Sequence, residues 1–170
     1  SLKGPSTPRY SSETRPQQGQ GDQKTSPQAQ RRDVDGMIII DSNVWIFAED
    51  DTSDEHEIAV KKIQDTLTTG FGVDIIIASE IFHALSRLLG SAEALRRVTN
   101  IAEHPAAEWI ESYPPLFTRA MNLATHAGIR INDAIIAQHS LERKMSVLTD
   151  NMKDFRKVKG LKVIALRERA

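Results

Sequence analysis

The chain has 170 residues, no cysteine and a formal net charge of −1. That length allows one domain with a substantial core, and the missing cysteine excludes disulfides and thiolate metal sites and favours the cytoplasm. Bulk charge makes no case for nucleic acid, so any such contact needs a local basic patch.

Residues 1–36 hold four of the seven prolines (Pro5, Pro8, Pro16, Pro27), six glutamines and almost no large aliphatics. Such a segment buries too little surface to offset its ordering entropy, so a disordered tail is expected there. It contributes six basic and four acidic residues, which leaves 16 basic (22 − 6) against 19 acidic (23 − 4) for residues 37–170, a net of −3. Met37 would make a natural translation start, with the tail an added leader or an upstream extension. Neither an apolar signal region nor a stretch near the ~20 apolar residues of a membrane helix is present, so no membrane association is expected.

"MIIIDSN" opens the folded part, residues 37–43. Three β-branched residues, Ile38 to Ile40, predict a short strand buried on both faces, as in a parallel sheet, and it ends on Asp41. "SNVWIFAED" predicts a helix capped by Ser42 or Asn43. Asp54 opens the next helix, with Ile58, Lys62, Ile63 and Leu67 near helical spacing and Gly70 as its stop. In "VDIIIASE" the run Ile75 to Ile77 repeats the opening pattern, so a second strand is expected there, with Glu80 beyond its tip.

From Ser79 the chain turns helical, with Ile81, Leu85, Leu88 and Leu89 on one stripe, to Gly90. "SAEALRRVTNIAEHP" predicts a helix capped by Ser91 and closed before Pro105; "AEWIESYP" supplies a short strand. A helix runs from Pro114 or Pro115 to Gly128, with proline inside its start and glycine past its end. "INDAIIAQHSLERK" is helical, with Asp133 in its first turn. "MSVLTD" is a strand ending in Asp150, and "LKVIAL" is the last strand. The alternation predicts a three-layer α/β/α fold around a central, mostly parallel sheet.

In such sheets ligands bind beyond the carboxyl ends of the strands. Asp41, Glu80 and Asp150 are expected there, with Asp133 starting a helix that points to the same place. Singly, each acid has a structural explanation as a helix cap or a first-turn residue. Together they are expensive, because buried like charges raise one another's pKa unless a cation intervenes. All-oxygen donors favour Mg²⁺ or Mn²⁺ over Zn²⁺. No Walker loop or glycine-rich phosphate cradle is present, so phosphodiester hydrolysis fits better than nucleotide phosphotransfer.

"MIIIDSNVWI", "ASEIFHAL", "INDAIIAQHS" and "VLTDNMKDF", in that order over residues 37 to about 166, resemble a PIN domain. In size and layout they are similar to the VapC toxins of toxin–antitoxin pairs. The resemblance implies a Mg²⁺- or Mn²⁺-dependent endoribonuclease, usually a homodimer, held inactive by a cognate antitoxin. It places Asp41, Glu80 and Asp133 at the family's first three acidic positions. The fourth falls on Asn151, leaving Asp150 or Asp154 to complete a metal site, with the preference for Asp154. Asn43 and Thr149 match polar positions that orient the acids, and Asn151 joins them in that role.

Arg130, Lys144, Lys153 and Arg156 bracket the acidic motifs and could hold RNA phosphates. The five histidines are scattered, and none is expected to be catalytic. Trp45 and Phe47 read as core or dimer surface, and Trp45, Ile46, Phe47, Ile81 and Phe82 together suggest a self-association face. Two other functions compete. One is a degenerate PIN module that binds RNA or a protein without cutting. The other is a Mg²⁺-dependent phosphatase of another α/β class, whose usual second Asp two residues after the nucleophile is replaced here by Asn43.

Overall fold

The computed structural model describes residues 36–168. The tail expected over 1–36 lies outside the described residues, apart from Gly36. Five strands pair in the order β3-β2-β1-β4-β5, and every pairing is parallel. They are β1 (Ile38–Ile40), β2 (Phe71–Asp74), β3 (Ala107–Ile110), β4 (Ser146–Thr149) and β5 (Val163–Ala165). The helices are α1 (Ser42–Glu49), α2 (His56–Thr66), α3 (Ile75–Leu89), α4 (Ser91–Ala102), α5 (Pro114–Ala127), α6 (Ile131–Arg143) and α7 (Met152–Phe155). The expected α/β architecture is present.

β1 lies at the centre, with Ile39 and Ile40 fully buried; burying each such side chain is worth about 1.5–3 kcal/mol. Its register sets Ile40 beside Leu148 of β4, so both central strands end at the same level, at Asp41 and Thr149. The expected punctuation of α5 is present: Pro114 and Pro115 occupy its first positions, and Gly128 closes it in the left-handed region at φ 62°.

One expected strand is not a strand. Ile75 to Ile77 form the first turn of α3, and β2 ends just before them at Asp74. The Asp74 carboxylate accepts the Ile77 amide at 2.8 Å, and a cap of this kind overrides the β preference of three isoleucines. The core stripe of α3 is accordingly Ile77, Ile81 and Leu85, all fully buried, whereas Leu88 and Leu89 are exposed. Glu80 therefore sits in the second turn of a helix and not at a strand tip. The second residue of β2 is Gly72, where an added Cβ would come within 2.7 Å of Ile110 and 2.8 Å of Met145.

A second correction concerns the self-association face. Trp45 and Ile81 belong to the core, with the Trp45 ring 5.1 Å from that of Phe71. The exposed large apolar residues include Ile75, Phe82 and Leu88 on α3, and Phe117 and Met121 on α5.

Candidate active site

Asp41 is the pivot. Its own strand is buried, and its side chain is only 3 % exposed. It caps α1 through Oδ1, which accepts the Ser42 amide at 2.8 Å. Oδ2 accepts from the Thr149 hydroxyl at 2.6 Å and from the Asn43 amide at 2.9 Å. Asn43 also donates to Thr149 Oγ1 at 3.3 Å and accepts the Asp150 backbone amide at 3.2 Å, which ties the end of β1 to the end of β4. Burial pushes the Asp41 carboxyl up to about 6 against the opposing Thr149 hydrogen bond, and the Asp133 and Glu80 charges add to the rise.

Glu80 reaches the same place from α3. Its Oε2 accepts from the Ser42 hydroxyl at 2.5 Å and its Oε1 from the Asn132 amide at 2.8 Å. Neither Ser42 nor Asn132 was expected as a partner of Glu80, although each directly adjoins an acid, Asp41 and Asp133, at a helix start. Asp133, also 3 % exposed, lies in the first turn of α6. Burial raises its pKa, the Arg130 guanidinium opposes that, and Glu80 and Asp154 add repulsion.

Asn151 spans the remaining gap. Its amide lies 3.4 Å from Asp133 Oδ2 and 3.2 Å from Asp154 Oδ2, so α7 presents Asp154 on the Asp133 side. Lys157, at 2.9 Å, and Asn151 hold the Asp154 carboxyl below its ordinary range.

Asp150 goes elsewhere. Arg167 forks its carboxylate at 2.9 and 3.0 Å and also pairs with Glu55, so this acid is bound up in anchoring the segment after β5. Of the four cations expected to hold phosphate, Lys153 and Arg156 are exposed on and just after α7, close to the acids. Arg130 lies against Asp133, bonding both carboxylate oxygens at 3.2 Å. Lys144 caps the far end of α6, before β4 begins, and so lies at the opposite edge of the sheet.

The donor chemistry fits a hard divalent ion: Asp41, Glu80, Asp133 and Asp154 offer only oxygen donors, with the Asn151 amide between two of them. Among the described residues, however, no three acidic or histidine side chains are drawn close enough to share one ion. The hydrogen bonds explain the spacing. Arg130 occupies the cationic role at Asp133, and Ser42 with Asn132 engages both oxygens of Glu80. Burial and the neighbouring acids both raise the proton affinities of Asp41 and Asp133, and Arg130 competes with any cation for the oxygens of Asp133.

The model of the PIN domain family matches residues 38–161. The chain belongs to the PIN domain family. Its fold is similar to that of VapBC2 from Rickettsia felis bound to a DNA fragment from their promoter, at TM-score 0.61 and 16 % identity, covering 76 % of this chain and 98 % of that one. DNA-bound VapBC from Salmonella typhimurium gives 0.62 and 15 %, covering 78 % and 99 %. Mycobacterium tuberculosis VapC20, described as a sarcin-ricin loop cleaving toxin, gives 0.58 and 16 %, covering 65 % and 86 %. No curated protein matches the sequence. No described helix of this PIN domain is long and apolar enough to cross a membrane.

Proposed function

We propose that this PIN domain is a Mg²⁺- or Mn²⁺-dependent endoribonuclease and the toxin of a VapBC-type pair. One observation carries the reading. Asp41 is a nearly fully buried carboxylate facing two further acids, an arrangement that repels itself until a cation enters. Asp41, Glu80, Asp133 and Asp154 are the residues that would hold the ion. A divalent ion at such a site supplies water activation and charge stabilisation at the leaving oxygen.

The chain's own groups have separable tasks. Thr149 and Asn43 fix Oδ2 of Asp41, so its carboxylate cannot rotate away. Ser42 and Asn132 aim Glu80, and Asn151 keeps Asp133 and Asp154 in register. Lys153 and Arg156, exposed beside the acids, are suited to phosphates of a bound RNA. Asp150, committed to Arg167, is left out of the ligand set in favour of Asp154. A cognate antitoxin is part of the proposal because the R. felis and S. typhimurium neighbours are VapBC assemblies. A homodimer is part of it too, formed through the exposed apolar residues of α3 and α5.

The test is cleavage of total RNA by the purified chain with Mg²⁺, with Mn²⁺ and with EDTA, beside Asp41→Asn. Cutting that needs the metal and falls by at least about a hundredfold in the variant supports the reading. Cutting by Asp41→Asn at the wild-type rate overturns it. Metal-supported RNA binding with no cutting by wild type would favour the non-catalytic module instead.

A further inference from the structure

A second constellation lies away from the acids, between the ends of β2 and β3 and the middle of α6. Asp74 and His139 are each only 1 % exposed. Asp74 uses both oxygens: Oδ1 caps α3 at the Ile77 amide, and Oδ2 lies 2.7 Å from His139 Nδ1. His139 Nε2 in turn lies 3.2 Å from the hydroxyl of Ser112. Ser112 is exposed, two residues past Ile110, the β3 residue that registers with Asp74. His139 is six residues along α6 from Asp133, roughly 9 Å at the helical rise, so the relay is spatially separate from the acid cluster.

The chemistry of the three groups is directional. A carboxylate against Nδ1 selects the tautomer that carries its proton there, which leaves the Nε2 lone pair facing Ser112. Ser112 then donates its hydroxyl proton inward from a residue that is itself exposed. A buried Asp needs a partner, and His139 supplies one. Yet a histidine placed only to satisfy Asp74 has no need to end on the hydroxyl of an exposed residue. Nucleophile, base and orienting acid at hydrogen-bond distance, in that order, form the arrangement that activates a serine.

We propose that Ser112 is a base-activated nucleophile that accepts acyl groups from activated carboxylic esters. In the step, Ser112 Oγ bonds to the ester carbonyl carbon and its proton passes to His139 Nε2. The ester C–O bond breaks, and the leaving oxygen takes that proton from His139. The products are an O-acyl serine and an alcohol or phenol, with no change in oxidation state. Asp74 is a positioning residue that holds the imidazole.

The full chain is incubated with p-nitrophenyl acetate and read by intact mass and peptide mapping. One acetyl group on Ser112, absent from Ser112→Ala, is expected; no adduct, or an adduct of equal amount in Ser112→Ala, overturns the proposal. A second readout uses the absence of cysteine from the chain. Ser112→Cys introduces a lone thiol whose alkylation by iodoacetamide at neutral pH should be about tenfold faster than in the Ser112→Cys/His139→Gln protein, because a neighbouring base raises the thiolate fraction. Equal rates overturn the proposal. If His139→Gln fails to fold by circular dichroism, Asp74→Asn takes its place. It keeps an acceptor for the Ile77 amide while favouring the wrong imidazole tautomer, and the same criterion applies.

Discussion

Asp41 concentrates the energetic conflict of the candidate site in one side chain. Its carboxyl titrates near 6 in the folded chain against an ordinary 3.8, because burial and the neighbouring acids disfavour its charge. The folded chain thus holds this proton more tightly than the unfolded one. The stabilisation is full below about pH 4 and lost as pH rises through about 6, a difference of order 3 kcal/mol. Metal-free melting curves of wild type and Asp41→Asn should therefore converge towards acid and separate towards neutral pH, with the variant relatively more stable at pH 7. The gain should fall short of the full difference. Asn43 and Thr149 both donate to Oδ2, and an amide nitrogen placed there faces donors. A constant offset between the two curves across pH 4 to 7 would show that Asp41 is not the strained group. Arg130 is the counterpart. Its side chain is 71 % exposed, so its pair with Asp133 is screened and worth at most about 1 kcal/mol. Arg130→Gln should lower the Mn²⁺ concentration at the midpoint of thermal stabilisation a few-fold, whereas a higher midpoint would mean that Arg130 helps to hold the bound state.

At the scale of elements, α3 depends on the cap that precedes it, Asp74, more than on its propensities. Asp74→Ala removes the cap, worth about 1 kcal/mol, and leaves the buried His139 without its carboxylate, worth a further 1–3 kcal/mol. A fall in urea-unfolding stability of about 2–4 kcal/mol is expected, and a loss under 0.5 kcal/mol would contradict this account of the helix start. The same junction marks where the sequence was misleading. Ile75 to Ile77 repeat the Ile38 to Ile40 pattern, and local β preference treats the two runs alike. What separates them is the side chain before each run: Asp74 is a helix cap, and Met37 is not. The spacing Ile77, Ile81, Leu85 carried the helical signal. Elsewhere the strand ends delivered Asp41 and Thr149 together, as their short apolar runs suggested. Asp150 stayed in view beside the preferred Asp154 because a strand-tip acid does not reveal its partner; Arg167, seventeen residues later, draws it away. Ser42 and Asn132 were illegible as supports of Glu80 because that contact depends on how α3 packs against α1 and α6.

Over the whole molecule, charge and exposed apolar surface divide the tasks. The net charge of −3 over residues 37–170 makes RNA attraction a local matter for Lys153 and Arg156, outside the acid cluster. Changing both to Gln should weaken RNA binding and flatten its salt dependence while leaving Mn²⁺ binding within twofold of wild type. Unchanged RNA affinity would move the phosphate contacts elsewhere. Phe117→Glu, on the exposed face of α5, should shift the chain from dimer to monomer in sedimentation at tens of micromolar, and a wild-type chain that is already monomeric there would remove the dimer from the proposal. The central claim is that Asp41 and Asp133 are partners in binding one hard cation, and calorimetric titration of metal-free protein with Mn²⁺ tests it most directly. Saturable binding by wild type, weakened at least tenfold in both Asp41→Asn and Asp133→Asn while each variant stays folded, is the expected result. Wild-type Mn²⁺ affinity in either variant would contradict it.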